Sequence, residues 1–123
     1  MPVVYSCVTR GPVILADLAL AGGNFKDQAV SLMRPPTIGP LYRRSIVKDG
    51  FRFHVLLEDG ITYICATEPS FDSRHAHKFL DELQRTFVNS PLIKRVAFAQ
   101  PYEFSADLNQ VLSKQMVSRK MAE

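Results

Sequence analysis

The sequence predicts an α+β domain in which a five-stranded sheet is packed between helices. Three features predict it. Five short runs are rich in β-branched and aromatic residues, two of the gaps between them are Asp-Gly pairs, and three other stretches repeat apolar residues at helical spacing. The 123 residues suit one domain, because two separate cores would each be too small. Hydrophobic residues make up 46% and charged residues 22%, the usage of a folded globular chain and far from that of a disordered one.

Val3 to Thr9 reads as a first strand, Arg10-Gly11-Pro12 as a turn and Val13 to Leu18 as the returning strand of a hairpin. Gly22-Gly23 then breaks the chain. Asn24 is expected to cap a helix through its side-chain oxygen, and Asp27 suits the positive helix start. Phe25, Ala29, Leu32 and Met33 recur on one face of that helix, and Pro35-Pro36 must end it, since proline has no amide donor.

From Arg43 to Thr67 three strands form a meander, turned at Asp49-Gly50 and Asp59-Gly60, pairs that accept positive φ. In the middle run Phe51, Phe53, Val55 and Leu57 alternate with Arg52, His54, Leu56 and Glu58, which gives one apolar face and one mixed face. The third run, Ile61 to Ala66, is apolar nearly throughout. That pattern places it in the middle of the sheet, covered on both faces. Ala76, Phe79, Leu80, Leu83 and Phe87 then share one face of a helix capped by Asp72 or Ser73, with Arg74, Asp81, Glu82 and Arg85 facing water. Asn89-Ser90-Pro91 stops that helix, and a loop is expected through Gln100-Pro101. Phe104, Leu108, Val111, Leu112 and Met116 mark the last helix.

Several function classes find no support. The stretch Val13 to Leu20 is interrupted by Asp17 and is far shorter than the roughly 20 residues that cross a bilayer. Met1-Pro2-Val3-Val4 enters a strand with no Lys or Arg before Arg10, unlike a secretory signal, so the cytosol is the expected compartment. A net charge of +3, with Arg43-Arg44 and Lys94-Arg95 as the nearest thing to a patch, is too little for nucleic-acid binding. Cys7 and Cys65 sit in apolar runs and read as small buried hydrophobes. His54 beside either thiol is conceivable as a base, but no catalytic signature flanks the cysteines. His75 and His77 point about 200° apart on a helix and cannot chelate together, so a surface role is expected for both. Gly22-Gly23 lacks the lysine and hydroxyl of a phosphate loop, and Asp81-Glu82 reads as a solubilising pair. Neither cofactor nor metal nor catalysis is expected.

Within this order of elements the motifs are more specific. Val8-Thr9-Arg10-Gly11, Ile14-Leu15-Ala16 and Gly22-Gly23-Asn24-Phe25 open the chain. Phe53-His54, Tyr63-Ile64-Cys65 and the run from Arg74 through Phe79-Leu80 to Phe87 follow. Glu103-Phe104-Ser105, Val111-Leu112 and Gln115-Met116 close it. Together these resemble the longin domain of long-type, synaptobrevin-like vesicle-associated R-SNAREs of the late endosomal and plasma-membrane type, over nearly the whole chain.

The resemblance implies the longin (profilin-like) fold, a five-stranded antiparallel sheet in the order β-β-α-β-β-β-α-α with one helix on one face and two on the other. It implies a regulatory, non-enzymatic role in vesicle fusion and sorting, on the cytosolic face of endosomal, vacuolar or plasma-membrane vesicles. The implied partners are the SNARE motif in cis, cognate SNAREs, and trafficking adaptors or regulators. On this reading residues 1–118 form the domain and 119–123 begin a linker toward a SNARE motif and a membrane anchor outside this chain. The implied binding groove lies between the first helix and the strand that opens the meander, at Phe25, Leu32, Met33, Arg44 and Ile46. Arg44 departs from the family, which tends to carry an apolar side chain there, although an arginine stem can lie along apolar surface. A scaffold subunit of a tethering or adaptor complex is the alternative, and would expose a broad apolar patch.

Overall fold

A computed structural model describes residues 3–32 and 41–121. Its elements are β1 (Val3–Arg10), β2 (Val13–Ala19), α1 (Phe25–Ser31), β3 (Leu41–Lys48), β4 (Phe51–Glu58), β5 (Ile61–Thr67), α2 (Ser73–Val88), a 3-10 helix (Pro91–Phe98) and α3 (Ser105–Met121). All five strands pair antiparallel in the spatial order β2-β1-β5-β4-β3. β5 therefore lies at the centre, as its unbroken apolar run predicts, and every residue of it is buried. The two Asp-Gly turns have positive φ at both central residues, 52° and 82° at Asp49-Gly50 and 54° and 79° at Asp59-Gly60. That geometry matches the twist of the strands they join, and it fixes the meander's register.

Side-chain alternation divides the interior in two. Leu56, Tyr63, Cys65 and Val8 meet α2 and α3 through Ala76, Phe79, Leu80, Leu83, Phe87, Leu108, Leu112 and Met116. Tyr5, Cys7, Phe53, Val55, Ile64 and Ala66 meet Phe25 and Ala29 of α1 on the other face. One helix thus covers one face and two cover the opposite one. Burial of each large side chain contributes roughly 1.5–3 kcal/mol, so the five buried positions of α2 anchor it firmly to the sheet.

Three local expectations are corrected. Asn24 stands at the N-cap of α1 but makes no side-chain capping bond, because its backbone (φ −95°, ψ 42°) departs from the extended geometry that aims the side chain at the first amides. Asp72, extended at φ −65° and ψ 124°, does cap α2, accepting from the Arg74 amide at 2.8 Å. The expected loop after Asn89 is largely helical. Ser90 Oγ accepts from the Leu92 amide at 3.3 Å, and Pro91 opens a 3-10 helix that buries Leu92. Finally, Phe104 precedes α3 and is not part of it, while the helix stop expected at Pro35-Pro36 lies outside the described residues.

Candidate functional site

The two edges of the sheet differ. At the β2 edge, the Tyr102 and Phe104 amides donate to the Ile14 and Leu15 carbonyls at 2.7 and 3.0 Å, which ties the segment before α3 to that strand. At the other edge β3 pairs only with β4, and no further backbone bond reaches β3 among the described residues. An edge of this kind presents amides and carbonyls that another strand can meet.

Register assigns the side chains of β3 to its two faces. Tyr42, Arg44, Ile46 and Lys48 stand opposite Leu57, Val55, Phe53 and Phe51, on the α1 side. Arg43, Ser45 and Val47 stand opposite Leu56, His54 and Arg52, on the α2 side.

On the α1 side, Phe25 is a core residue at 3% exposure. Its ring stacks on Tyr5, with centroids 5.6 Å apart, and meets the edge of Phe51 at 4.9 Å. Gly23 allows this packing, because a Cβ there would lie 2.8 Å from Phe25 Cε2. Leu32 and Ile46 are half-buried and pack against the same cluster. Arg44 is exposed on the face that carries Ile46. Met33 lies outside the described residues. The structure therefore brings Phe25, Leu32 and Ile46 together, with Phe25 as the floor and Leu32 and Ile46 at the surface. One end is closed by polar contacts, for Lys48 Nζ donates to Ser31 Oγ at 2.7 Å and Gln28 Nε2 donates to the Asp49 carboxylate. Among the described residues, what remains open is the stretch of β3 that carries Arg44 and Ile46.

The α2 side of β3 holds contacts that sequence reasoning missed. The Arg43 guanidinium donates to Asp81 Oδ1 at 2.5 Å. Ser45 Oγ lies 2.8 Å from His54 Nδ1 and 3.1 Å from His77 Nε2, while His54 Nε2 lies 2.9 Å from Thr67 Oγ1. The direction of this chain follows from its last member. Thr67 Oγ1 donates to the Arg52 carbonyl at 3.5 Å, so the Thr67 oxygen accepts a hydrogen bond from His54 Nε2–H. A neutral His54 then accepts at Nδ1 from Ser45, and Ser45 accepts from His77 Nε2. His77 is thus not the free surface histidine expected from sequence. Its Nδ1 is buried and has no hydrogen-bond partner among the described residues. Burial, reinforced by the neighbouring His77 and Arg52 charges, lowers the His54 pKa to about 4. The network is therefore built around a neutral ring. His77 was legible only in part, since its helical neighbour Ala76 is core while the strand it faces depends on the order of the sheet.

Cys65 stands directly opposite His54 in the β4–β5 register, yet the pair is not a nucleophile and base. Both His54 nitrogens are engaged, and burial raises the Cys65 thiol pKa far above neutrality. Burial likewise raises the Cys7 thiol to about 12. Both thiols are buried and protonated at neutral pH.

A three-layer α+β domain, with one sheet edge covered and the other, among the described residues, open beside a short helix, is the class that fold and site define. The chain belongs to the longin family. Residues 15–112 match the family described as "Longin: Regulated-SNARE-like domain", a family of non-enzymatic trafficking domains. The chain is 29% identical over 117 residues to human vesicle-associated membrane protein 7, covering 94% of this chain and 52% of that protein. It is 29% identical over 119 residues to vesicle-associated membrane protein 714 of Arabidopsis thaliana, with the same coverage. To vesicle-associated membrane protein 7B of Dictyostelium discoideum it is 29% identical over 117 residues, covering 91% of this chain and 44% of that protein. The chain spans about half the length of these curated relatives.

Proposed function

We propose that this domain is the regulatory module of an R-SNARE, acting in vesicle fusion and sorting on the cytosolic face of endomembranes. It binds either the SNARE motif of its own parent chain or a trafficking adaptor along the groove between α1 and β3. Residues 1–118 form the module, and 119–123, which begin as the end of α3, lead into the linker to that motif. The observation that carries this reading is the open β3 edge, with half-buried Ile46 and Leu32 above the Phe25 floor. Backbone groups of such an edge give affinity to an extended segment, and the apolar positions select among segments. The names of the relatives, vesicle-associated membrane proteins, support the trafficking assignment. The scaffold reading finds less support. The large apolar side chains exposed among the described residues, Val30, Val47 and Phe98, lie on three separate elements.

Two measurements test the proposal. A parent coding sequence that continues past residue 123 into roughly three or more apolar heptads and an apolar tail supports it. A stop codon directly after Glu123 counts against it. Ile46→Ser is expected to weaken binding of a peptide covering that heptad segment while the melting temperature changes little. Equal loss of binding and stability would show that Ile46 serves the core alone.

A further inference from the structure

Arg44 and Ile46 are neighbours on the groove face of β3, two positions apart. A strand added to this edge continues the same alternation, so residues two apart on the incoming segment stand beside them. Ile46 is half-buried against the apolar cluster and asks for an apolar neighbour. Arg44 differs from the other cations of β3 and β4. Arg43 is bound to Asp81, Lys48 to Ser31 and Arg52 to Ser73, the last at 3.5 Å. Arg44 is exposed and has neither ion pair nor hydrogen bond among the described residues. Its opposite neighbour in the sheet is Val55, 3% exposed, which offers no charge.

Resting on the groove reading above, we infer that Arg44 makes the groove charge-selective. Its occupant is an extended segment of a separate partner protein that sets an Asp or Glu against Arg44 and, two residues away, an apolar side chain against Ile46. The planar guanidinium can hold such a carboxylate through two parallel hydrogen bonds, and the low, apolar rim shields the pair more than open solvent does. Charge also argues against a second copy as the occupant. β3 carries Arg43, Arg44 and Lys48 and no acidic residue, so two copies edge to edge would bring like charges together.

A phage-displayed library of random twelve-residue peptides, panned on the intact 123-residue chain, tests this. Enriched peptides are expected to carry Asp or Glu two positions from Ile, Leu or Val, and to lose about tenfold or more in affinity for Arg44→Glu. Panning on Arg44→Glu should replace the acidic residue with Lys or Arg, and panning on Arg44→Leu should erase the charge preference. Circular dichroism checks that each variant stays folded, as expected at an exposed position. An acidic preference that is missing from the wild type, or unchanged with Arg44→Glu, overturns the inference. The groove reading fails separately, if the selected peptides bind Ile46→Ser as well as wild type. Binding lost with Ile46→Ser but unaffected by Arg44→Glu would keep the groove and reject its charge selectivity. A dimer in sedimentation that Ile46→Ser dissolves would make a second copy the occupant, and a library with no enriched sequence counts against groove and inference alike.

Discussion

Acid should unfold this domain earlier than its carboxylates alone would require, because His54 is held neutral inside the protein. The ring is wholly buried, and burial, with the His77 and Arg52 charges, lowers its pKa from an ordinary 6.5 to about 4. The unfolded chain takes up that proton near pH 6.5, whereas the folded chain refuses it until about pH 4. Between those values the unfolded state binds more protons, so stability is full above about pH 6.5 and declines as pH falls. Each unit between the two pKa values corresponds to about 1.4 kcal/mol, which makes the loss from His54 about 3 kcal/mol by pH 4. His77, lowered mainly by its own burial, acts in the same sense. Asp72, lowered by its bonds to Arg74, and Glu103, lowered by the Gln100 amide and Arg95, protonate below the ordinary carboxylate range and so fall outside the upper part of this window. Urea unfolding followed by circular dichroism from pH 7.5 to 4.5 measures the slope, and suits a chain without tryptophan. His54→Gln should be less stable at pH 7 and show a much flatter slope. An equal slope in both proteins, or a His54 ring that titrates near 6.5 by NMR, would refute the reasoning.

Other outcomes follow from packing. Leu83→Ala, at a fully buried position of α2, should cost about 2–5 kcal/mol in the same unfolding assay, whereas Phe98→Ser, at 85% exposure, should stay within about 0.5 kcal/mol. Gly23→Ala should destabilise by about 1–3 kcal/mol, since the new methyl meets the Phe25 ring. Asn24→Ala, one residue on, should be nearly neutral because no capping bond is lost. Both thiols should resist an aromatic disulfide reagent in the folded protein and react fully in denaturant.

Local chemistry made much of the fold legible. The Asp-Gly pairs state their turn type, the apolar face of α2 states its orientation, and the unbroken run of β5 states that both its faces are covered. The 3-10 helix was not legible, because Leu92, Ile93 and Val96 fall at helical spacing but within an eight-residue run, too short for the pattern to mark a helix. Asn24 shows the limit of residue type as a signal, since capping also needs a backbone that aims the side chain. The site was harder to read than the fold. Placing Ile46 at an open edge required the family resemblance, since nothing within Leu41–Lys48 says on which side the next strand lies. The link from Ser45 to His77 joins residues 32 positions apart and appears only once the sheet is laid against α2.

The position of β1 also shapes how the chain assembles. β1 lies between β2 and β5, with Val3 paired to Thr67 and Arg10 to Ile61, so one side of it finds its partner at once and the other waits for a strand that begins only at Ile61. During synthesis the β1–β2 hairpin emerges with an apolar flank open, and it stays exposed to wrong pairings until the meander follows. The meander needs only its own tight turns. Closure of the sheet is therefore the non-local and slower event, in which β5 docks on β1 and the hairpin and the meander become one sheet.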